Sequence, residues 1–298
     1  MDKPFKNDIN GWLVIDKPYN MGSTQVVGVL KRLFHPMKIG HAGTLDPLAS
    51  GVLPIALGKA TRTISFVMDG LKVYQFKVKF GAATATDDVE GEVIETSDNI
   101  PTPAQIRAIL PQLTGTIEQI PPAYSAIKLN GRRAYDLARR GEAVDIKPRL
   151  VRIDRLELLS MEKEEALFEV TCGKGTYVRS LGRDMARMLG ACGHITYLRR
   201  LQCGPFSIKE SKTLENLNKI AYSELPAAGL IPVEAVLTDI LELAVTENEA
   251  RALSHGQSLK KDGLTDGGFY KATCEGALIA FITVQGDIVR PTKVFKQM

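Results

Sequence analysis

The chain lacks the long apolar segments that mark membrane proteins. Its longest apolar stretches, Gly51–Gly58 and Ala277–Val284, are about eight residues long, whereas a membrane-spanning helix needs roughly 20. The N-terminal segment Met1–Asp8 contains acidic side chains and no apolar run, which is unlike a secretory signal. We therefore expect a cytoplasmic protein that does not associate with membranes.

Cysteine is scarce, and motifs for metals and cofactors are missing. The four cysteines are widely spaced, with no C-x-x-C pair and no histidine at zinc-finger spacing; they are Cys172, Cys192, Cys203 and Cys274. This pattern predicts reduced core thiols and argues against a disulfide framework and a zinc site. No dinucleotide-binding motif is present either. We expect a chemistry that needs neither a metal nor a cofactor.

The sequence also lacks a functional P-loop. The segment Gly51–Lys59 has two glycines and a lysine, but six residues separate the glycines and Ala60 follows the lysine. A P-loop has four residues between its glycines, and a Ser or Thr after the lysine binds Mg²⁺. A phosphate-binding NTPase is therefore rejected.

What the chain does contain is typical of an ordinary globular protein. It has 298 residues, of which 44% are hydrophobic and 24% charged. A chain of this length usually folds as more than one domain. We predict a larger domain over residues 1–237 and a smaller one over residues 238–298.

Positive charge is concentrated in two segments. Lys128–Arg155 has nine Lys and Arg against four Asp and Glu, and Lys174–Arg200 has six against one. Because the whole chain has a net charge of only +4, the remainder is mildly acidic. Such a distribution favours a polyanionic ligand, since neutralising phosphates drives nucleic-acid binding. Solvated faces of ordinary helices remain an alternative explanation.

Hydrophobic periodicity predicts a mixture of strands and helices. Val73–Phe80 alternates in polarity, which is typical of a half-buried antiparallel strand. Further strands are predicted at Gly11–Asp16 and Ala166–Cys172. Helices are predicted after the caps Ser23-Thr24 and Thr102-Pro103, over Arg132–Arg140 and over Leu181–Leu189. We expect an α+β fold with a mixed, mainly antiparallel central sheet flanked by helices. Short strands beyond Leu237 predict a small C-terminal β-barrel.

The segment Gly40–Leu53 carries the most specific signal. Its first part, Gly40–Pro47, is rich in glycine and contains Asp46 followed by Pro47, so we predict a loop there. Taken alone, an aspartate before a proline is common in turns. The whole run, GHAGTLDPLASGVL, closely resembles the signature of the TruB family of tRNA pseudouridine synthases. The resemblance implies that Asp46 is catalytic and that the enzyme isomerises uridine 55 in the T loop of tRNA.

Other segments resemble the same family in the expected order. Asp16–Pro18 resembles a motif that supports the catalytic loop, and Lys174–Arg179 and Tyr197–Arg200 resemble motifs that line the site. Residues 120–152 resemble a basic arm that clasps RNA, and residues 238–298 resemble a PUA-like RNA-binding module. The resemblance thus covers essentially the whole chain and implies the pseudouridine synthase fold.

The resemblance assigns roles to six residues. The implied catalytic residues are Asp46, Tyr74 and Arg179. The implied RNA-binding residues are His41, Tyr177 and Leu198. Tyr74 is expected to pack on the target base, and His41 to stack where the extruded base had been.

Elementary chemistry is consistent with these roles. Moving uracil from an N1 to a C5 linkage is redox-neutral, and a carboxylate can attack ribose C1′, assist deprotonation at C2′ or add to C6 of the ring. Each route needs Asp46 ionised, and Arg179 could hold it so by ion pairing. Tyr177 and Arg179 are two residues apart on what we expect to be an extended segment, so both side chains should face one cleft.

Two other functions remain open. The chain could be a non-catalytic RNA-binding or tRNA-folding protein that uses only its basic arm and C-terminal module. It could also be a synthase directed by a separate guide RNA, although such chains usually carry further extensions. We expect a monomer that acts on the T stem-loop of tRNA without a guide RNA or protein partner.

Overall fold

The structure is a computed structural model that describes residues 6–125, 127–129, 131–140, 145–220, 224 and 229–295. Within these residues the helices are α1 (Ser23–Phe34), α2 (Ile64–Asp69), α3 (Pro103–Ile109), α4 (Ala134–Ala138), α5 (Val178–Met188), α6 (Leu214–Asn218) and α7 (Glu247–Ser254). The strands are β1 (Gly11–Lys17), β2 (Ile39–His41), β3 (Ala49–Leu57), β4 (Lys72–Phe80), β5 (Ala82–Thr84), β6 (Val93–Thr96), β7 (Gly115–Gln119), β8 (Lys128–Leu129), β9 (Arg132–Arg133), β10 (Arg149–Glu162), β11 (Glu165–Cys172), β12 (Gly193–Cys203), β13 (Phe206–Ser207), β14 (Leu241–Ala244), β15 (Leu259–Lys260), β16 (Phe269–Cys274), β17 (Ala277–Gln285) and β18 (Ile288–Val294).

The central sheet is mixed and mainly antiparallel, which confirms the predicted α+β class. Its strands follow the order β1-β3-β12-β4-β11-β10-β7, with β2 paired to β3 and β13 to β12. The pairing of β12 with β3 is parallel, and the other pairings along this order are antiparallel. The parallel pair brings the strand after the Asp46 loop beside the strand that carries Leu198.

Strand β4 has the alternation that the sequence predicts. Phe76, Val78 and Phe80 are buried, and Phe76 stacks on Phe168 of β11 with ring centroids 5.2 Å apart. On the opposite face Lys77 forms an ion pair with a glutamate of β11. Burying each of these large apolar side chains contributes roughly 1.5–3 kcal/mol. The same apolar face continues to Tyr74, so core packing fixes where this tyrosine lies.

Helix α1 packs one apolar stripe against the sheet. Val26, Leu30 and Phe34 recur at a spacing of four residues and are buried, which places them on one face. The helix ends at Phe34, as predicted, with His35 in the left-handed region at φ 44°. The predicted cap is wrong by one residue, because Gly22 is the N-cap and its N–H donates to the side chain of Gln25. The hydroxyl of Ser23 is thereby left for a different partner.

The C-terminal strands form a separate five-stranded sheet in the order β14-β16-β17-β18-β15. Strands β14 and β15 stand at the two ends of this order, so within residues 229–295 the sheet is an open half-barrel. The predicted small β-barrel is therefore observed as a half-barrel, because the two edge strands, of four and two residues, do not pair with each other within these residues. Helix α7 packs against this sheet.

An aromatic core joins the C-terminal sheet to the rest of the chain. Trp12 of β1 and Val67 of α2 share one buried cluster with Phe281 and Phe295. The rings of Phe281 and Phe295 meet edge to face with centroids 4.9 Å apart, an arrangement favoured by the aromatic quadrupole. The C-terminal sheet is therefore packed against the strand and helix that neighbour the Asp46 loop.

Two predicted segments differ locally from the structure. Gly40 and His41 belong to the short strand β2 rather than to a loop, because they pair with Ala56 and Ile55 of β3. In the basic arm the helix is limited to α4, and the preceding arginines lie in the β8–β9 hairpin. Residues 126, 130 and 141–144 of the arm lie outside the described residues. In the described part of the chain no helix is long and apolar enough to cross a membrane.

Candidate active site

The loop between β2 and β3 presents Asp46 at the edge of the central sheet. The hydroxyl of Ser23 donates to the Leu45 carbonyl and accepts from the Leu45 N–H, both at 2.9 Å. The amide of Ala49 donates to the Asp46 carbonyl at 3.0 Å. The backbone on both sides of Asp46 is thus held in place while 41% of its side chain remains exposed.

The buried side chain of Lys17 is hydrogen-bonded to the Asp46 loop. Its side chain has no exposed surface, and Nζ donates to the carbonyls of Pro18 at 2.9 Å, Met21 at 2.5 Å and Pro47 at 3.2 Å. Burial lowers the pKa of Lys17 to about 8, although the Asp46 carboxylate acts in the opposite direction. These bonds agree with the expectation that the Asp16–Pro18 motif supports the Asp46 loop.

The Asp46 carboxylate is ion-paired with Arg179. Nη2 of Arg179 lies 2.9 Å from Oδ2 of Asp46, and Nη1 lies 3.3 Å from Oδ2 of Asp88. The same nitrogens donate to the carbonyls of Thr86 at 3.0 Å and Tyr124 at 2.9 Å. Two carboxylates and two carbonyls therefore surround one buried guanidinium, which fixes its plane.

Arg179 and Tyr177 do not lie on an extended segment, which corrects the prediction. Arg179 is in the first turn of α5, and Tyr177 is the N-cap residue with φ −106° and ψ 113°. Gln119 holds Tyr177 at both backbone groups, accepting from its N–H at 2.7 Å and donating to its carbonyl at 3.0 Å. Both side chains still reach one cleft because the chain turns at Tyr177.

Tyr74 and Leu198 form the sheet side of the cleft. Leu198 of β12 pairs with Phe76 of β4 and with Ala49 of β3, so it lies between the Tyr74 strand and the strand that follows the Asp46 loop. Burial raises the pKa of Tyr74 to about 12, with the Arg200 charge acting in the opposite direction. The Tyr74 phenol is therefore neutral at physiological pH.

Arg200 lies beneath Tyr74. Its Cζ is 6.0 Å from the centre of the Tyr74 ring. The side chain is 1% exposed, with Nε donating to the Val52 carbonyl at 2.7 Å and Nη2 to the Gly43 carbonyl at 3.0 Å. A buried arginine thus joins the Asp46 loop to the tyrosine on the sheet.

Two neighbouring clefts open onto Asp46 and Arg179. One has a volume of about 310 Å³ and brings these residues together with Tyr74, Tyr177 and Leu198. The second, of about 720 Å³, is lined by His41 as well as by Asp46 and Arg179. Five of the six predicted site residues therefore share one cleft, and His41 lies in the adjoining one. Burial lowers the pKa of His41, and the Arg200 charge lowers it further, so its ring is neutral at physiological pH.

Comparison with known proteins identifies the family. Residues 31–178 match the TruB family pseudouridylate synthase N-terminal domain, and residues 179–238 match the tRNA pseudouridylate synthase B C-terminal domain. The tRNA pseudouridine synthase B of Bradyrhizobium diazoefficiens is 50% identical, with 97% of this chain and 87% of the relative covered. The enzyme of that name from Rhodospirillum rubrum is 46% identical, with 96% of each chain covered. This chain belongs to the TruB family.

Solved structures agree with the TruB fold. An H/ACA RNP bound to a substrate RNA containing 2′-deoxyuridine includes a chain with a TM-score of 0.73 and 24% identity, covering 96% of this chain and 85% of that one. A chain of a Cbf5-Nop10-Gar1 complex has a TM-score of 0.73 and 25% identity over the same shares. These similarities show that 96% of this chain shares the fold of those subunits.

Two residues at this TruB-family site were not predicted. Asp88, which is 3.3 Å from Arg179, follows another aspartate in a turn, and nothing in the sequence distinguishes the two. Arg200 could have been found, since it is two residues from Leu198 on a strand and must share its apolar face. A charged residue on an apolar face needs dedicated partners.

Proposed function

We propose that this enzyme converts uridine 55 in the T loop of tRNA to pseudouridine, with Asp46 as the catalytic nucleophile. The observation that carries this assignment is the exposed Asp46 carboxylate, held 2.9 Å from buried Arg179 at the junction of two clefts. The TruB family supplies the reaction class, and relatives named tRNA pseudouridine synthase B supply the class of RNA.

The reaction needs a carboxylate and the transfer of one proton to N1 and one proton from C5. The N1–C1′ bond breaks, a C5–C1′ bond forms, N1 gains a proton and C5 loses one. Attack at C1′, deprotonation at C2′ and addition to C6 all use the Asp46 carboxylate, which the Arg179 guanidinium contacts at 2.9 Å. Tyr74 faces the same cleft with a neutral phenol, placed to contact the uracil ring.

The target base must leave the RNA stack before it reaches Asp46. The cleft of about 310 Å³ is near the lower end of the size range of small-ligand sites. Tyr74 and Tyr177 offer aromatic surfaces and Leu198 an apolar one, as base recognition requires. His41, neutral in the adjoining cleft, is placed to stack where the extruded base had been.

Two further segments are assigned to RNA binding. The first is the arm over residues 120–152, which belongs to the catalytic domain of residues 1–237 and clasps the RNA. Tyr135 of α4 and Arg139, just after the helix, support this role, because they line the His41 cleft. Residues 238–298 act as a PUA-like RNA-binding module. The enzyme acts as a monomer, in the cytoplasm where tRNA is found, and without a guide RNA or protein partner.

A single reaction separates this function from its alternatives. Purified protein is incubated with an unmodified T-arm hairpin, and pseudouridine is mapped by position. We expect complete conversion at the position equivalent to 55 without added guide, and none with Asp46→Asn, whose hairpin affinity is retained. Asp98→Asn, which changes an exposed carboxylate, is the matched control and keeps wild-type activity.

The other outcomes are informative. Binding without conversion by the wild-type protein would support the tRNA-folding alternative. Conversion only after an RNA fraction is added would support a guided synthase. Conversion by Asp46→Asn at the wild-type rate would overturn the mechanism.

A further inference from the structure

The cleft that holds Asp46 and Tyr74 has an excess of positive charge. Asp46 is the carboxylate among its lining residues within the described part of the chain. Its lining cations are Lys72, Arg149, Lys174, Arg179 and Arg200. An uncharged uracil does not need such an excess, whereas the phosphodiesters that flank a nucleotide do.

Two of these cations are already neutralised by carboxylates. Arg179 is paired with Asp46 and Asp88. Lys174 lies 2.9 Å from Oδ1 of Asp69. The charge of Arg179 is balanced within the buried site, whereas the Lys174–Asp69 pair is exposed and therefore weak.

Two further cations are buried and bonded to backbone carbonyls. Lys72 is 6% exposed and donates to the carbonyls of Met68 and Gly70. Arg200 is 1% exposed and donates to two carbonyls of the Asp46 loop and β3. Their donors are used within the protein, and their burial keeps them from a phosphate.

Arg149 differs from the other four. It is half-buried and has no carboxylate partner among the described residues. Nη2 donates to the Gly175 carbonyl, while Nε has no hydrogen-bond partner within the described structure. Its guanidinium lies over the ring of Tyr177, with Cζ 4.8 Å from the ring centre.

The position of Arg149 is set by the sheet. It is the first residue of β10, near the C-terminal end of the arm over residues 120–152, and pairs with Gln119 of β7. Gln119 in turn holds both backbone groups of Tyr177. Arg149 and Tyr177 are therefore fixed on one rim of the cleft, where the arm joins the catalytic sheet.

We propose that Arg149 binds a backbone phosphate of the nucleotide whose base enters the cleft. This inference rests on the proposed function and adds a subsite for a phosphodiester beside the base site. Stacking on Tyr177 and the bond to Gly175 hold the guanidinium plane, so the N–H groups of Nη1 are oriented before the RNA arrives, whereas Nε is buried. A planar, preorganised guanidinium suits a phosphate better than a flexible ammonium does.

The test is the salt dependence of RNA binding. Affinity for a T-arm hairpin is measured between 50 and 300 mM KCl for the wild type, Arg149→Gln and Arg149→Lys. Log affinity falls as log salt rises. Loss of one phosphate contact should make this negative slope shallower by about 0.7–0.9. We expect this for Arg149→Gln, with about tenfold weaker binding at low salt. Arg149→Lys should keep the slope and recover part of the affinity.

Arg155→Gln is the matched control. Arg155 is on the same strand, outside the arm, its side chain is 63% exposed, and it is paired with Glu157. We expect its removal to leave the slope near the wild-type value. Equal slope changes in both glutamine variants would show only a general charge effect and would overturn the inference, as would a wild-type slope in Arg149→Gln.

The same measurements separate this inference from the proposed function. If Arg149→Gln binds RNA with the wild-type slope while the wild-type enzyme makes pseudouridine, the subsite is wrong and the function stands. If the wild-type protein makes no pseudouridine but Arg149→Gln makes the slope shallower, the phosphate subsite stands without the catalytic assignment. A hairpin with a neutral methylphosphonate on either side of the target uridine then locates the phosphate. Modification at the contacted linkage should add no further loss to Arg149→Gln.

Discussion

Arg179 contacts Asp46 at 2.9 Å from a side chain that is only 6% exposed, whereas the Asp46 side chain is 41% exposed. The buried partner is therefore the rigid member of the pair, and it orients the exposed one. Asp88 fixes Arg179 from the other side, at 3.3 Å, and accepts from Thr86 Oγ1 at 2.5 Å and from the Glu90 amide at 3.0 Å.

This arrangement predicts that Asp88→Asn impairs catalysis more than binding. The amide keeps an acceptor for Thr86 but loses the charge that balances Arg179, so Asp46 is oriented less well. We expect kcat to fall by at least about tenfold, with hairpin affinity nearly unchanged. Asp87→Asn is the control, because Asp87 pairs with Arg183 and has a left-handed φ of 61° that asparagine also adopts. Similar kcat losses in both variants would contradict a specific role for Asp88.

Tyr74 should act through its neutral hydroxyl. Burial raises the pKa of Tyr74 to about 12, so the phenol keeps its proton at every pH at which the enzyme is assayed. Tyr74→Phe keeps the aromatic surface for the base but removes this proton. We expect hairpin affinity close to wild type and a kcat lower by about 100-fold, the lower end of acid–base contributions.

The titration of Tyr74 can be measured directly. The folded pKa lies above that of the unfolded chain, so the stability that the neutral phenol contributes is present below pH 10 and is lost as the pH rises towards 12. The difference in absorbance at 295 nm between wild type and Tyr74→Phe isolates this group. A phenolate that appears below pH 9 would contradict the assignment.

Lys17 should make stability depend on pH in the opposite direction. Its pKa is lowered from 10.5 to about 8 because burial disfavours the ammonium. Between these values the unfolded chain binds more protons than the folded one, so the contribution of Lys17 to the free energy of unfolding increases with pH. The increase is at most roughly 3 kcal/mol.

The measurement is urea unfolding of wild type and Lys17→Met between pH 7 and 10. We expect the wild type to gain stability relative to the variant as the pH rises through 8. Lys219→Met serves as the control, since Lys219 is exposed and forms an ion pair with Glu215 one turn away. A difference between wild type and Lys17→Met that does not change with pH would show that Lys17 titrates normally.

The sequence predicted elements better than it predicted contacts. The alternation in Val73–Phe80 was sufficient to identify β4, because one apolar face of a strand has a period of two. The start of α5 was missed because the sequence from Tyr177 to Arg179 is compatible both with the end of a strand and with the first turn of a helix. What distinguishes them is Gln119, which binds both backbone groups of Tyr177 from 58 residues away. Local patterns contain no information about such a long-range partner.

Among the residues of the site, those within recognisable motifs were predicted from the sequence, and those placed by the folded structure were not. Asp46 and Arg179 were identified because the motifs around them resemble those of the TruB family, and their opposite charges were consistent with an ion pair. The role of Asp88 was not predictable, because Asp87 precedes it and only the folded turn decides which carboxylate faces Arg179. The open C-terminal sheet also depends on strand ends, which short turn-rich segments do not specify.

Arg200 should stabilise the folded protein as well as hold the Asp46 loop in place. Replacing this buried side chain by methionine leaves the carbonyls of Val52 and Gly43 without their donors, and each unsatisfied group costs about 1–3 kcal/mol. We therefore expect Arg200→Met to lower the free energy of unfolding by about 2–6 kcal/mol. Arg199→Met is the comparison, since Arg199 is half-buried and pairs with Asp16 at 2.7 Å. A larger loss for Arg199→Met than for Arg200→Met would contradict this ranking.

Removing residues 128–147 should weaken RNA binding more than folding. None of the described residues in this range belongs to the four hydrophobic clusters, and the segment has six Lys and Arg against three Asp and Glu. Replacing it by a short Gly-Ser linker should change the free energy of unfolding by less than about 1 kcal/mol. The carbonyl of Tyr124, which Arg179 needs, is retained.

We expect the shortened enzyme to bind a T-arm hairpin at least about tenfold more weakly, with a shallower salt dependence, because several cations are lost together. Its rate at saturating hairpin should stay closer to the wild-type value, since Asp46, Tyr74 and Arg179 lie outside the deleted segment. Affinity and unfolding are measured on the same preparations. Unchanged affinity would refute the arm assignment. A large loss of stability would show instead that residues 128–147 are part of the folded core.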